Sequence, residues 1–337
     1  PVTATLGEAP TENTVTLTAR NAGTIGNDID GRHSHYSGET LPEGVTLAIA
    51  DMAGGAGDTA IDAVWAILGD TQYRTIVLGL ADAVTAASAA NELADRAGSQ
   101  RMLESGAYGA RTGTQGELAA FGAGLNSELL SILGIGASPT WPCEAAAIYA
   151  AACGYFSAIE PARPLQTLEQ SGLVSPRVDG QFTRAQRELL LRDGISTFTV
   201  QSGGVCLIER AITTYQTDAF GIEDVAFLDL ETPLTLFYLR HTVRVRIAQK
   251  FPRHKLASDG TRVSPGQAIV TPSTIRGELL ALAREWEEEG LVEGIDQFKA
   301  DLIVERDSSD PNRINALIPP DIVNQFRAFA AAIQFRL

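Results

Sequence analysis

The side chains best suited to metal chemistry form a short cluster near the start of the chain. His33 and His35 flank Ser34, and Asp28 and Asp30 precede them. On a strand, this spacing points both imidazole rings to one face, where they could bind Zn²⁺. The two aspartates also begin like a calcium loop, but the downstream Glu that such a loop needs is missing. A polar surface loop is the simpler explanation, and we predict no metal ligand here.

Two glycine-rich segments could hold a phosphate group, but neither carries a complete motif. Residues 54–58 join a predicted strand to a predicted helix, the position at which a helix N-terminus binds anions. Residues 109–116, which include Arg111, have the same character. Neither segment matches GxGxxG or a Walker A loop with its Lys and Ser or Thr. Glycine at such a turn needs no ligand to explain it, so we predict no cofactor and no cofactor-binding residue.

The sequence offers no arrangement for acid–base or nucleophilic catalysis. It contains no GxSxG motif, and its four histidines leave few candidates for a general base. The three cysteines form no CxxC pair, which is typical of a chain in a reducing compartment. We therefore predict no catalytic residue.

The composition is that of a globular protein and excludes two classes of partner. The 337 residues are 45% hydrophobic, and 26 Lys and Arg against 41 Asp and Glu give a net charge of −15. Such an acidic chain lacks the basic surface that nucleic acid requires. No apolar run reaches the roughly 20 residues of a membrane span. We expect neither nucleic-acid binding nor membrane insertion.

Alternating strands and helices predict an α/β fold whose central, mostly parallel sheet is flanked by helices. The first forty residues are β-rich, with a half-buried strand predicted at Val15, Leu17 and Ala19. Later strands are predicted at residues 45–50, 75–80 and 129–135, and in a hairpin of 194–201 and 205–214. Helices are predicted at residues 82–97, 114–126, 142–159 and 183–192, and from Asp58 or Thr59 to about Leu68.

The last part of the chain predicts a separate α+β unit. Residues 234–250 fit both helical and strand periods, and their length favours a helix. Thr271 and Pro272 begin another helix, whose apolar face is formed by Leu279, Leu282, Ala283 and Trp286. Alternation predicts a strand at Phe298, Ala300, Leu302 and Val304. A shorter strand is predicted at Ile314, Ala316 and Ile318.

The chain ends in a second alternating segment, whose apolar residues are Phe329, Ala331, Ile333, Phe335 and Leu337. A terminal strand that pairs only within its own hairpin leaves an exposed edge, which natural proteins protect unless they use it. Donating such a strand to a neighbouring subunit is one explanation of the pattern. An ordinary last strand of the fold is the other.

Two segments of opposite charge suggest contacts between subunits. The basic segment contains Arg240, Arg244, Arg246, Lys250, Arg253 and Lys255. The acidic segment contains Glu285, Glu287, Glu288 and Glu289, with Glu293 close by, at a predicted helix C-terminus that disfavours carboxylates. Copies of one chain can pair such patches heterologously. Solvated helix faces explain the same charges without a partner.

Several motifs, in this order, resemble the contractile tail sheath proteins of Mu-like phages and prophages. They are the segments LTARNAGTIGNDI at 17–29, PARPL at 161–165, LLLRDGIS at 189–196, GVCLIERAITTY at 204–215, YLR at 238–240 and SPGQAIVTP at 264–272. The resemblance covers nearly the whole chain. It implies a structural subunit that is not an enzyme and that stacks as six-membered rings around a tail tube. It also implies contraction that drives the tube through the host envelope for genome ejection.

The resemblance further implies the organisation of the chain and its partners. We expect residues 1–44 to be the remainder of an outer β-rich domain, 45–251 a central α/β sheath core, and 252–337 a tube-proximal α+β domain. In this last domain, Phe329 to Leu337 would form the C-terminal arm, and Phe298 to Val304 the strand that receives a neighbour's arm. The implied partners are further copies of the chain, the tail tube protein, and baseplate and tail terminator proteins. Assembly would occur in the host cytoplasm, and the product would lie in the virion tail.

Family members usually carry a longer N-terminal region with a further arm. We therefore expect this chain alone to stay monomeric or weakly associated, which sedimentation would test. A sheath of a phage-tail-like bacteriocin or secretion machine is an alternative within the same class. An α/β enzyme that binds phosphate through residues 54–58, or a metal protein that uses His33 and His35, would belong to other classes. Nucleotide-binding assays and elemental analysis would distinguish them.

Overall fold

The computed structural model describes residues 2–8, 13–36, 38–57, 60–262 and 264–335, in two compact units. The first unit comprises Pro1–Ala158 and Leu165–Leu230, and the second Ile159–Pro164 and Glu231–Leu337. Among the described helices, none is long and apolar enough to cross a lipid bilayer.

An antiparallel hairpin opens the first unit. Strand β1 (Val2–Leu6) pairs with β2 (Val15–Ala19), with Leu6 opposite Val15. The structure confirms the strand predicted at 15–19, but not its half-burial, because Leu6, Val15 and Leu17 are exposed.

A five-stranded sheet forms the centre of this unit. Its strands are β3 (Thr75–Val77), β4 (Gly106–Thr112), β5 (Leu130–Gly136), β6 (Ile195–Val200) and β7 (Cys206–Arg210). They lie in that order; the first four are parallel, and β7 closes the sheet as an antiparallel hairpin with β6. The structure therefore confirms the mostly parallel central sheet, although the first and last of its predicted strands are shorter than expected.

In the described part of this unit, five α-helices accompany the strands. They are α1 (Asp62–Leu68), α2 (Ala83–Ala97), α3 (Gln115–Gly122), α4 (Pro142–Ile159) and α5 (Arg184–Arg192). Local signals placed their starts well, because Asp82, Thr114 and Thr183 accept the expected capping hydrogen bonds. Helix α3 ends earlier than predicted, and α1 begins at Asp62; the predicted cap residues Asp58 and Thr59 lie outside the described residues.

The structure of the first unit differs from the expected strands at two places, where one predicted strand is absent and one strand was not predicted. Residues 45–50 alternate like a strand, yet 45–57 contain neither helix nor strand, and Val45, Leu47 and Ile49 are exposed. No other strand of the described chain pairs with them, and alternation without a partner does not make a ladder. Strand β4 was missed because it is rich in glycine and alanine. A Cβ on its Gly109 would lie 2.8 Å from Ile132 Cδ1, so a larger residue there would require the Ile132 side chain to move.

The main part of the second unit begins with α6 (Glu231–Lys250), which confirms the helix favoured for residues 234–250. Its other elements are β8 (Lys255–Leu256), β9 (Ile269–Val270), α7 (Pro272–Glu288), β10 (Val292–Glu293), α8 (Ile295–Asp301), β11 (Ile303–Arg306), β12 (Ile314–Leu317) and β13 (Asp321–Ile322). Within the described residues, these strands form three two-stranded sheets: β8 with β9, β10 with β13, and β11 with β12.

A core around α7 holds the second unit together. Leu279, Leu282, Ala283 and Trp286 are buried, as predicted, and the Trp286 ring meets Phe298 edge-on. Leu239 of α6 belongs to the same core. This packing places α6 and the later elements in one compact unit, whose main part runs from Glu231. The domain bounds expected from the sequence stay a prediction.

Candidate assembly surfaces of the C-terminal unit

The C-terminal segment carries the most exposed apolar side chains of the unit. Phe329, Ile333 and Phe335 are 81%, 97% and 83% exposed, and residues 323–335 contain no helix or strand. The predicted terminal strand is therefore wrong for the single chain, and Leu337 lies outside the described residues. The large apolar side chains nevertheless all fall at odd positions, with the smaller or polar Ala330, Ala332 and Gln334 at the even ones. We call residues 328–335, all of which are exposed, the arm.

The residues before the arm are fixed to the unit by hydrogen bonds. The amide of Val323 donates to the carbonyl oxygen of Leu291 at 3.1 Å. Gln325 Nε2 donates to the carbonyl oxygen of Ala162 at 3.3 Å. Arg327 Nη2 contacts both carboxylate oxygens of Glu231 at 3.1 Å. The chain is thus attached up to Arg327 and exposed beyond it.

The hairpin of β11 and β12 offers two open strand edges within the described chain. The two strands pair antiparallel, with Ile303 opposite Leu317 and Arg306 opposite Ile314. Val304 and Ile314 pack against the core, whereas Ile303 and Leu317 are 51% and 60% exposed on the other face. Open edges with apolar neighbours are the features that a donated strand uses.

The predicted receiving strand is only partly a strand. Phe298 and Ala300 lie in helix α8, Leu302 is its C-cap residue, and Val304 alone lies in β11. The strand prediction failed because apolar residues at 298 and 302 also fit one helical turn. Phe298 and Leu302 are buried, as expected for such a helical pair. The unpaired strand edges in this part of the described chain are therefore those of β11 and β12.

Arg276 connects helix α7 to the region where β11 begins. Its guanidinium donates to the carbonyl oxygens of Leu302 and Lys299, which are the free carbonyl groups at the end of α8. The start of the hairpin is thereby attached to α7, the helix whose apolar face forms the core, and not held by its own turn alone.

The opposite charges of α6 and α7 pair within the chain. Lys250 Nζ lies 2.6 Å from Glu278 Oε2, and Arg246 contacts both Glu278 and Glu285. The Tyr238 hydroxyl donates to Glu289 at 3.2 Å. These contacts offset the unfavourable interaction between the carboxylates at the C-terminus of α7 and the helix dipole. For Arg246, Lys250, Glu285 and Glu289, the structure thus provides an intramolecular role that the patch-to-patch hypothesis had not included.

Other members of the two charged segments lie at the surface. Glu287 and Glu288 are exposed on the last turn of α7, and Arg240 is exposed on α6, where Arg244 is half-buried. Arg253 and Lys255 are exposed after α6, and Lys255 Nζ lies 3.4 Å from Gln267 Oε1. Among these residues, Glu287, Glu288 and Arg253 stay candidates for contacts to a neighbour or tube.

The histidine cluster in the first unit does not have the geometry that metal binding was expected to use. Residues 31–36 form no strand, so the period-two argument for two imidazoles on one face does not apply. His33 Nδ1 lies 2.9 Å from Ser34 Oγ, and the Asp30 carboxylate binds Arg32. Within the described ranges, no group of three His, Cys, Asp or Glu side chains is placed to hold a metal ion.

The glycine-rich loop at 54–57 is tied to the preceding turn. Asn27 Nδ2 donates to the Gly55 carbonyl oxygen at 3.0 Å, and the Gly55 amide donates to Asn27 Oδ1 at 2.8 Å. A Cβ at Gly55 would lie 2.5 Å from the carbonyl oxygen of Gly23. This contact accounts for glycine at 55 without a phosphate ligand, and Asp58 lies outside the described residues. In the other glycine-rich segment, Arg111 lies over the Phe121 ring and donates to the Ala81 carbonyl oxygen.

Sequence reasoning missed Glu231 and Arg327, which the fold brings together from distant positions. Each is unremarkable in its local sequence. The signal available was weak: an arginine inside an apolar terminal segment, and a glutamate next to a helix start, where a carboxylate is favoured.

Two family models match most of the chain. The phage tail sheath protein central domain matches residues 54–214, and the phage tail sheath C-terminal domain matches residues 223–336. The chain is also 44% identical over 325 residues to the Mu-like prophage FluMu tail sheath protein of Haemophilus influenzae. That alignment covers 96% of this chain and 66% of the Haemophilus protein, so the chain spans about two thirds of its relative.

Solved structures of sheath proteins share the architecture. The sheath tail protein of Listeria innocua superposes with a TM-score of 0.56 at 11% identity, over 92% of this chain and 67% of that one. The sheath tail protein of Desulfitobacterium hafniense gives 0.53 at 16% identity, over 82% and 65%. A chain of the anti-feeding prophage baseplate gives 0.52 at 10% identity, over 78% and 69%. At these identities the likeness establishes the fold.

Proposed function

Because the chain belongs to the family of phage tail sheath structural proteins, we propose that it polymerises around the tail tube of a Mu-like prophage through its arm. The subunits stack as six-membered rings and contract to drive the tube through the host envelope. The sheath is part of the virion tail and is assembled in the host cytoplasm. Its partners are further copies of the chain, the tube protein, and baseplate and terminator proteins.

The exposed arm is the observation that supports this proposal. Three large apolar side chains, those of Phe329, Ile333 and Phe335, fall at odd positions with Ala331 between the first two, in a segment that has no strand partner in the described chain. Left in water, they forgo roughly 1.5–3 kcal/mol of burial free energy each. Added to a strand edge of another subunit, the same residues gain backbone hydrogen bonds as well as burial. The open edges of β11 and β12 are the receiving surface that we assign to the neighbour.

Contraction requires that one set of subunits adopt two lattices. A strand exchanged through a short segment can keep subunits linked while their other contacts repack, because the linkage lies in the arm. Exposed charges such as Glu287, Glu288 and Arg253 are suited to the contacts that change, since surface ion pairs are individually weak.

The arm can be tested with two matched double variants of the protein expressed from its complete gene. Phe329→Ser with Ile333→Ser makes the apolar face of the arm polar. Ala330→Ser with Ala332→Ser introduces the same residue on the alternate face. We expect negative-stain electron microscopy to show hollow tubes for wild type and for the alanine variant, and their loss in the Phe329 and Ile333 variant.

Deletion of residues 330–337 provides an independent form of the same test. Tubes that vanish on deletion support linkage through the arm. Tubes that survive both the deletion and the Phe329 and Ile333 substitutions contradict that linkage but leave a sheath. If the intact protein forms no polymer with its tube protein present, the sheath function itself is contradicted.

A further inference from the structure

The exposed arm begins at a buried ion pair. The Glu231 side chain is 0% exposed and that of Arg327 is 17% exposed, and Arg327 Nη2 contacts both carboxylate oxygens at 3.1 Å. From Ala328 onward every described residue is exposed. The last well-packed side chain before the arm is therefore that of Arg327.

The position of Glu231 gives this pair a particular consequence. Glu231 is the first residue of α6, where a carboxylate is favoured by the helix dipole. It also begins the main part of the second unit. The helix start is further fixed, because Thr235 Oγ1 donates to the Glu231 carbonyl oxygen at 2.7 Å. An arm attached at this point leaves from a rigid helix end and not from a loop.

We propose that Glu231 and Arg327 form the anchor of the arm, a pair of positioning residues that fixes where the arm leaves its subunit. The proposal rests on the function proposed above, since an anchor matters only if the arm binds a neighbour. A buried ion pair suits this purpose, because separating it takes the Arg327 guanidinium away from a carboxylate that lies in a poorly solvated site. The pair keeps the first residue of the arm in one place while the arm itself remains free to bind.

Holding the attachment point has an energetic effect on assembly. A segment that is already oriented loses less conformational freedom when it binds than one that is detached over a longer stretch. Release of Arg327 would free the chain back to Gln325 or Val323, the next attached residues. We therefore expect anchor variants to fold but to assemble less readily.

Trypsin measures the anchor directly, because it cleaves after arginine and must extract Arg327 from its site to do so. The variant is Glu231→Gln, which removes the charge and one of the two acceptor oxygens. We expect the peptide that begins at Ala328 to appear at least about tenfold faster than in wild type, the factor that corresponds to 1.4 kcal/mol. Cleavage after Arg253, which is exposed, serves as the internal reference and should not change.

Two further variants separate anchoring from general stability. Glu293→Gln makes the same chemical change at an exposed carboxylate of the unit and should behave like wild type. Arg327→Lys keeps the charge and the trypsin site but loses the guanidinium geometry, and we expect intermediate protection. If circular dichroism shows that Glu231→Gln does not fold, Arg327→Lys carries the test.

Electron microscopy of the same variants completes the experiment. Faster cleavage together with fewer tubes supports the anchor. Unchanged cleavage after Arg327 overturns it. Faster cleavage with a normal number of tubes overturns its role in assembly, while leaving the arm and the sheath function intact. Loss of function of the arm itself is recognised separately, by tubes that persist after deletion of residues 330–337.

Discussion

Asp307 shows how a single carboxylate can hold the hairpin of β11 and β12. Its Oδ1 accepts hydrogen bonds from the Ser309 hydroxyl at 2.6 Å and from the amides of Ser309 and Asp310, and its Oδ2 accepts one from Asn315 at 2.8 Å. The hydrogen bond from the Ser309 hydroxyl, followed by that from Asn315, holds the pKa of Asp307 well below its usual range. The turn between β11 and β12 therefore depends on the ionised form of this residue.

The depressed pKa predicts an acid-dependent loss of stability. A carboxylate with a lower pKa in the folded state stabilises it above the unfolded pKa, about 3.9, and stops doing so as pH falls through the folded pKa. We expect wild type to be more stable than Asp307→Asn by a constant amount above about pH 5, and this difference to shrink below about pH 4. Urea unfolding at a series of pH values measures it.

The nearby Asp310 provides the control. It accepts one hydrogen bond in this turn, from the amide of Asn312 at 2.9 Å. Asp310→Asn should therefore keep most of the acid response of wild type. An Asp307→Asn protein whose stability falls with acid as steeply as that of wild type would refute the assignment.

At the scale of elements, helix α3 contains two glycines, and only one of them is required by packing. Gly122 is the last residue of the helix and lies against the segment between α5 and β6. A Cβ there would lie 2.0 Å from the carbonyl oxygen of Asp193 and 2.9 Å from Ile195 Cγ1. Gly116 lies in the first turn, and a Cβ there would meet nothing within 4 Å. Close packing of α3 on the chain that enters β6 thus requires one glycine and not the other.

These two glycines predict opposite responses to alanine. Gly122→Ala should destabilise the protein by about 1–3 kcal/mol, because backbone atoms must shift to accept the methyl group. Gly116→Ala should leave stability unchanged or raise it by up to about 1 kcal/mol, since alanine is the better helix former. Denaturant midpoints of the two purified variants give the comparison, and a shift of both in the same direction would contradict the packing argument.

For the whole molecule, the structure separates charges that stabilise the subunit from apolar surface available between subunits. Arg246 and Lys250 pair with carboxylates of α7 inside the second unit, whereas Phe329, Ile333 and Phe335 are exposed. Attachment through the arm would rely on backbone hydrogen bonds and apolar burial. We still predict that the chain alone stays monomeric or weakly associated. A contribution of the exposed charges to a contact with the tube is also a prediction.

This separation predicts that assembled sheath resists salt. Raising sodium chloride from about 0.15 to about 1 M shortens the Debye length from roughly 8 to roughly 3 Å, which weakens exposed ion pairs but not apolar contacts. We expect the sedimentation of preformed tubes to be largely unchanged by this step. Dissolution of the tubes would instead favour a linkage by opposite charged patches. Tubes of the Ala330→Ser and Ala332→Ser variant provide the matched control.

The sequence by itself determined the features that depend on neighbouring residues. Capping patterns at Asp82, Thr114, Thr183 and Thr271 located helix starts, because a cap and its partner amide lie within one turn. The alternation of strands and helices predicted the mostly parallel sheet, since βα connections restrict the topology. Motifs spread along the chain identified the family, which the matching relatives then supported.

Only the tertiary structure decided the features that depend on distant partners. Strand β4 exists because β3 and β5 flank it, and residues 45–50 and the arm are not strands because none of the described strands pairs with them. Phe298 lies in a helix because, in that conformation, its side chain packs in the core around Trp286. Glu231 and Arg327 meet across 96 positions, and the charges of α6 meet those of α7. Local sequence does not reveal such contacts, because the free energy that stabilises them arises only when the folded chain brings the distant residues together.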